Sequence, residues 1–134
     1  MIENIEWFAV AVAALVTFVV GGPWYSPAMF LKAWQEDMNL TDTQPGHPAR
    51  VFGLAYVFSF LSCALLAALM GPGAGVLAGF KLGLLVGVCF VAASFGINYQ
   101  FANRSLKALF IDGGYHTVQF AGFGAVLGAW PFGT

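Results

Sequence analysis

Long runs of hydrophobic residues, each interrupted by only a few polar positions, dominate the chain. A transmembrane helix needs about 20 mostly apolar residues to cross a hydrocarbon core about 30 Å thick. Four runs have that length, and we predict four membrane-spanning helices at residues 5–22, 51–70, 75–101 and 106–130. The predicted fold is therefore all-α, a polytopic membrane protein with one four-helix domain over residues 1–134.

Glycine and proline mark the breaks between these runs. Gly21-Gly22-Pro23 is expected to end the first helix, and Gly71-Pro72-Gly73 is expected to join the second and third as an antiparallel hairpin. Pro131 is expected to close the fourth helix.

A short amphipathic helix is predicted in the first connection, at about residues 27–39. Ser26-Pro27 offers an N-cap hydroxyl followed by a proline at the first helical position. Phe30, Trp34 and Met38 form one apolar stripe at i, i+4 and i+8. This stripe either lies in the membrane interface or packs on the bundle, and the pattern is compatible with both.

The composition agrees with a membrane protein, since 60% of the residues are hydrophobic and only 8% are charged. A soluble domain carries roughly 25% charged residues. The formal net charge of −1 provides no basic field for nucleic acid. The lipid bilayer is the expected partner, and DNA-binding and disordered proteins are excluded. Cys63 and Cys89 lack a CxxC spacing or nearby ligands, so we predict no metal, no cofactor and two buried thiols.

The cations predict the orientation of the chain, because cytoplasmic loops are enriched in Lys and Arg. The two connections on one side carry Lys32, Arg50, Arg104 and Lys107. Both termini are thus predicted to be non-cytoplasmic in a multi-pass protein of the cell (inner) membrane. The acidic N-terminus lacks the positive region of a signal peptide, so the first run is expected to be retained.

Aromatic residues give an independent indication, since Trp and Tyr prefer the headgroup level. Trp7 and Trp130 fall at one predicted boundary. The interface anchors expected at the opposite boundary are Trp24, Tyr25 and Trp34, together with Tyr99.

Helix three carries a glycine every four residues, at Gly75, Gly79, Gly83 and Gly87, and helix four adds Gly124 and Gly128. Faces of small residues let transmembrane helices approach closely. The pattern predicts a packing groove, either within one chain or between subunits. Because such faces are numerous on only four helices, we expect a homo-oligomer.

Polar side chains inside the runs are the candidate functional residues, because they are costly in a membrane. Asp112, His116 and Gln119 share one face of helix four, beside Tyr115. Their spacing lets Asp112 accept a hydrogen bond from His116. Two further candidates, Asn98 and Arg50, are expected at similar depth, and the cluster is either a relay or binding site or interhelical glue. Lys81 of helix three either extends its ammonium to the headgroups or faces a cavity.

Three separated elements resemble a bacterial domain-of-unknown-function family of small four-helix integral membrane proteins. They are Trp24-Tyr25-Ser26-Pro27 after helix one, Asn98-Tyr99 at the end of helix three, and Gly114-Tyr115-His116 in helix four. The resemblance covers nearly the whole chain and implies the four-helix topology, but it implies no activity. Pro23 and the proline-rich segment Pro45-Gly46-His47-Pro48 depart from the family pattern.

Two functions are compatible with these features. The first is an oligomeric transport or permeation unit in which Asp112 and His116 relay a proton or cation. The alternative is a non-catalytic accessory or scaffold subunit of a larger membrane complex. An enzyme has less support, because the adjacent Tyr115 and His116 point about 100° apart on a helix and form no nucleophile–base pair.

Overall fold

Helices account for nearly all of the ordered secondary structure in the computed structural model, which describes residues 2–42 and 44–130; no strand occurs in that part of the chain. The α-helices are α1 (Trp7–Ala13), α2 (Val16–Trp24), α3 (Leu31–Asp37), α4 (Pro48–Met70), α5 (Val76–Val86), α6 (Ala93–Phe101) and α7 (Leu106–Ala129). A π-helical segment, Gly87–Ala92, joins α5 to α6, and a 3₁₀ turn, Ile2–Asn4, precedes α1.

Three of the four predicted spans are helices long and apolar enough to cross a membrane. They are Trp7–Trp24, Pro48–Met70 and Val76–Phe101. α7 is 24 residues long, which is sufficient length, but polar side chains interrupt its apolar sequence. The all-helical, membrane-compatible fold is thus confirmed, and the fourth span stays a prediction.

The first helix differs from its predicted course at both its middle and its end. α1 and α2 are separated by a tighter turn in which the Leu15 N–H bonds to the Val12 carbonyl, at 3.0 Å. The helix does not end at Gly22 but continues to Trp24, with Pro23 in its last turn. Pro23 lacks an N–H, but the Tyr25 N–H still bonds to the Gly21 carbonyl at 3.1 Å, so the helical hydrogen bonding continues past the proline.

The short helix of the first connection begins later than predicted, at Leu31 rather than at residue 27. The Ser26 hydroxyl donates to the Pro23 carbonyl at 2.6 Å and so does not cap a helix that begins at Pro27. Residues 26–30 form turns instead. α7 ends at Ala129, and the predicted role of Pro131 lies outside the described residues.

α7 is the central helix of the bundle. It contacts each of α1 to α6 as well as the π-helical segment. Nine of its residues are buried, against three in α4, although α4 is almost as long. Phe123 of α7 packs in the main core beside Val10 of α1 and Cys63 of α4. The polar face of α7 is thereby turned towards other helices.

The glycines within α5 and at its two ends pack against α7 of the same chain. A Cβ on Gly79 would overlap the carbonyl oxygen of Gly124, and a Cβ on Gly128 would overlap that of Gly75. Each step of four residues along α5 is matched by a step of about four in the opposite direction along α7. Gly83 faces the Phe120 carbonyl, and Gly87 faces Thr117. Of the two alternatives left by the sequence, the predicted glycine groove is therefore the intrachain one.

Aromatic contacts join residues at the two ends of the bundle. Phe8, next to Trp7, packs edge-on against Trp130 at one end, with ring centroids 5.5 Å apart. At the opposite end Tyr25 packs against Trp34, at 5.2 Å, and Trp24 packs against Phe30, at 5.1 Å. The aromatic stripe of α3 therefore contacts other protein side chains, which favours its packing on the bundle.

The two cysteines differ in exposure. Cys63 is buried, as predicted, but Cys89 is exposed on the surface of the chain. The prediction for Cys89 is wrong because its apolar surroundings in the sequence lie on an outward-facing side of the helix, and an apolar outer surface is compatible with lipid.

Candidate functional site

Asp112 of α7 accepts hydrogen bonds from two tyrosines that come from other parts of the chain. The Tyr25 hydroxyl, one residue beyond α2, donates to Asp112 Oδ1 at 2.5 Å. The Tyr99 hydroxyl, near the end of α6, donates to Asp112 Oδ2. Only 5% of Asp112 is exposed. We call these three residues the Asp112 cluster; each carboxylate oxygen has its own phenol donor.

Contacts of Trp24 position Tyr25 beside α7. The Trp24 indole N–H donates to the Ile111 carbonyl at 2.9 Å. Gly114 leaves room for the indole ring, since a Cβ there would lie 3.1 Å from Trp24 Cζ2. The end of α2 is thus bonded to Ile111, the residue before Asp112. The bond depends on the extension of α2 to Trp24, because Trp24 is the donor.

The electrostatic environment of the cluster favours neutral phenols. Burial, and then the hydrogen bond to Asp112, raise the pKa of Tyr25 above its ordinary value, so its hydroxyl keeps the proton that it donates. Among the described residues Asp112 forms no ion pair with a Lys, Arg or His. The carboxyl group therefore has hydrogen-bond donors but no contacting countercharge in that part of the chain.

A second group of polar side chains lies on the same helix and is centred on Gln119. The Gln119 amide donates to Thr17 Oγ1 at 2.8 Å and to the Tyr115 hydroxyl at 3.2 Å. Thr17 Oγ1 lies 2.5 Å from Ser59 Oγ, and Ser59 donates to the Ala55 carbonyl at 2.7 Å. With His116, whose ring nitrogen Nδ1 lies 2.6 Å from Gln119 Oε1, these residues form the Gln119 network.

The donor directions in the Gln119 network determine which nitrogen of a neutral His116 carries the proton. The Tyr115 hydroxyl donates to the Thr17 carbonyl, at 2.9 Å, so it can only accept from Gln119. The nitrogen of the Gln119 amide therefore faces Tyr115, and its oxygen faces His116. An amide oxygen only accepts, so His116 Nδ1 is the donor and Nε2 is left with a free lone pair.

The His116 ring is held by aromatic contacts as well as by Gln119. It stacks on Phe95 of α6 with ring centroids 4.8 Å apart and an interplanar angle of 19°. The edge of Tyr115 lies against it, at 4.7 Å. Tyr115 in turn contacts the ring of Tyr25, at 5.3 Å, so the Asp112 cluster and the Gln119 network are neighbours.

The predicted hydrogen bond between Asp112 and His116 is wrong. Side chains on a helix point towards its N-terminus, so Asp112 points away from His116, and Tyr25 and Tyr99 occupy both of its oxygens. The longer Gln119 reaches back by one turn and takes the place of Asp112 as the partner of His116.

The structure brings together only some of the predicted candidates. Asp112, Tyr115, His116 and Gln119 lie in two adjacent hydrogen-bonded groups, whereas Asn98 and Arg50 are exposed and outside both groups. The Arg50 guanidinium instead lies beside Gly46 in the preceding connection. Functional roles for Asn98 and Arg50 stay predictions.

Thr17 and Ser59 are members of the site that the sequence pattern did not single out as polar partners. Both are buried, and each is a hydroxyl in the middle of an apolar span. A hydroxyl among apolar residues could have indicated a polar partner in another helix. It can also bond to its own helix, as Thr117 does to the Gly113 carbonyl, so the sequence alone does not distinguish the two cases. Tyr25 and Tyr99 were expected as boundary residues, with no indication that they share one carboxylate.

Comparison with known proteins supports the family resemblance. No curated protein and no solved structure gives a significant match. A match to the family described as "Protein of unknown function (DUF1761)" covers residues 8–128, which includes all the residues of both polar groups. The chain therefore belongs to this family.

Proposed function

We propose that the protein is a membrane permeation unit for protons or small cations, with Asp112 as the ion-binding group and His116 as a second proton carrier. The observation that carries the proposal is a buried carboxyl group on the central helix without an ion-pair partner among the described residues. Ionisable residues inside membranes are costly, and they commonly mark ion or proton pathways.

The proposal includes α7 as the fourth membrane span. Its 24 residues have the required length, and the polar side chains of Asp112 and Gln119 are buried within the bundle. α7 contacts all three of the more apolar spans, which would shield its buried polar residues from lipid. A helix with this polarity is acceptable in a bilayer when its polar groups bond within the protein.

The chemistry of Asp112 suits reversible binding of a positive charge. Two phenols supply hydrogen bonds to the carboxylate but no countercharge, and hydrogen bonds alone do not neutralise a buried anion. A proton or a small cation would supply the missing charge. The site is thus able to release its ion without breaking a permanent salt bridge.

His116 offers a second position for a proton at greater depth. Its Nδ1 is engaged by Gln119, and Nε2 has the free lone pair that can accept a proton. The residue is partly exposed within one chain, whereas Asp112 and Gln119 are almost fully buried. A neighbouring copy packed beside this partly exposed side would complete the path, so we propose a homo-oligomer.

The accessory-subunit alternative has little support from the packing of the glycines. Small-residue faces could join the chain to a partner only if they were free, and the glycines from Gly75 to Gly87 contact α7 of their own chain, so they support neither a larger complex nor a second copy. Co-purification from native membranes would still distinguish it, since an accessory subunit should elute with a constant partner.

A flux assay in proteoliposomes tests the proposal. We expect proton or monovalent-cation flux with the unaltered protein and loss of that flux with Asp112→Asn and with His116→Ala. Thr117→Val is the matched control, because Thr117 is next to His116 but bonds only to its own helix backbone. Equal flux in all four proteins, or no flux above empty liposomes, would exclude the proposal.

A further inference from the structure

An open apolar groove lies between α3 and the beginning of α7, and none of its lining residues belongs to either polar group. Its volume is about 500 Å³. Phe30 and Ala33 line it on the α3 side, and Phe110 and Ile111 line it on the α7 side. Lys107 is the one charged residue in the lining that the described part of the chain provides. The groove thus combines an apolar wall with a single cation.

Contacts on either side of the groove fix its two walls relative to each other. At the end of α3, Asp37 accepts a hydrogen bond from the Ser105 hydroxyl, the N-cap of α7. The Trp24 indole is bonded to Ile111 on the other side, and its ring packs on Phe30. The groove is therefore formed by the packing of the chain and does not require a moving segment.

Two cations, Arg104 and Lys107, and one carboxylate, Asp37, lie at this junction, and the excess positive charge would attract a negative group. Lys107 is exposed, and it lies one helical turn before Ile111 on the same face of α7. Arg104 lies three residues earlier, and its guanidinium donates to the Met38 carbonyl at the end of α3, at 3.4 Å. Basic pockets beside transmembrane helices are typical binding places for anionic lipid headgroups.

We propose that this groove binds one anionic phospholipid, with its phosphate at the Lys107 ammonium and an acyl chain between Phe30 and Phe110. The apolar lining matches an acyl chain, because burial of its methylene groups is favourable whereas a polar peptide would leave its backbone groups unbonded there. The positive charge selects an anionic over a zwitterionic headgroup. Transport activity is not part of this proposal, so a failure of either one leaves the other unaffected.

Native mass spectrometry of the purified protein tests the proposal. The protein is incubated with equal amounts of phosphatidylglycerol and phosphatidylcholine that carry identical acyl chains. We expect the protein to retain one phosphatidylglycerol molecule in preference to phosphatidylcholine. Lys107→Gln should reduce that preference about fivefold, the effect of one basic residue at a membrane surface. Lys81→Gln, which removes another exposed lysine far along the sequence, should leave it unchanged.

The apolar wall is tested separately. Ala33→Trp fills the groove and should abolish retention although both cations remain, and Phe110→Ala, at a residue that is 75% exposed, should weaken it if Ala33→Trp does not fold. Equal retention of both lipids, equal effects of Lys107→Gln and Lys81→Gln, or displacement of the lipid by glycerol phosphate at the same concentration would overturn the proposal.

Discussion

Gly79 of α5 and Gly124 of α7 face each other so closely that neither has room for a Cβ. A Cβ on Gly79 would overlap the Gly124 carbonyl oxygen, and a Cβ on Gly124 would overlap the Gly79 carbonyl oxygen. The obstacle in both cases is backbone, which cannot rotate away as a side chain can. This reciprocal contact fixes the distance between α7 and the α5 side of the bundle.

Replacement of either glycine by alanine should therefore destabilise the fold. We expect Gly79→Ala and Gly124→Ala each to reduce the free energy of unfolding by about 1–3 kcal/mol or more, the usual effect of overpacking. Thermal unfolding in detergent micelles measures this change. Gly53→Ala is the matched control, since Gly53 lies in α4 and a Cβ added there would meet nothing within 4 Å besides its chain neighbours and the backbone of its own helix. The free energy of unfolding of that control should rise by about 0.5–1 kcal/mol, because alanine has the higher helix propensity. Equal melting temperatures for all three variants would contradict the close contact.

Removal of one phenol hydroxyl from the Asp112 cluster should lower the free energy of unfolding more than removal of a hydroxyl that bonds to a neutral group. Tyr25→Phe and Tyr99→Phe each delete a hydrogen bond to a carboxylate, and bonds to charged groups contribute about 1.5–3 kcal/mol. Tyr56→Phe is the comparison, because the Tyr56 hydroxyl donates to the neutral Ala11 carbonyl at 2.8 Å and its loss should cost about 0.5–1.5 kcal/mol. Unfolding should be measured with and without Asp112→Asn. Equal losses for Tyr25→Phe and Tyr56→Phe, both unchanged by Asp112→Asn, would show that the phenols do not stabilise the fold through the Asp112 carboxylate.

His116 should carry its proton on Nδ1 when the ring is neutral. This tautomer follows from the orientation of the Gln119 amide, which is determined by the hydrogen bond that Tyr115 donates to Thr17. Nitrogen-15 NMR of histidine-labelled protein distinguishes the two tautomers by their chemical shifts. Gln119→Leu removes the acceptor and should allow the Nε2–H form to appear, whereas Gln119→Glu retains an acceptor oxygen and should keep the Nδ1–H form. A predominant Nε2–H signal in the unaltered protein would contradict the assignment.

The two thiols should react at different rates. Cys89 is exposed and Cys63 is completely buried in the core beside Phe123. In mild detergent we expect a small apolar maleimide, which can enter the detergent layer around the helices, to modify one thiol per chain and Cys89→Ser to remove nearly all of that modification. After denaturation both thiols of the unaltered protein should react. Modification of Cys63 in the folded protein would show that the core opens.

The sequence was most informative where structure depends on local composition. The spans that contain Cys63 and Gly83 follow from apolar length alone, and the spacing of the glycines predicted a close helix contact. The choice of α7 as the partner was not predictable, because it depends on which helices become neighbours in the bundle. The same limit applies to Asp112: its helix neighbours are visible from spacing, but its partners Tyr25 and Tyr99 are brought to it by tertiary packing.

The four-span topology predicts the side of the membrane on which each connection lies. Single cysteines would be introduced at exposed positions into a protein with Cys89→Ser, in which only the buried Cys63 remains. Thr41→Cys and Ala102→Cys should be protected from an impermeant maleimide in intact cells, because their connections carry the cations expected in the cytoplasm. Pro72→Cys and Ala129→Cys should be labelled from outside, since both lie at the other ends of their helices. Ala129→Cys decides between topologies: if it is protected together with Ala102→Cys while Pro72→Cys is labelled, α7 does not cross the membrane, and the proposed central span is excluded.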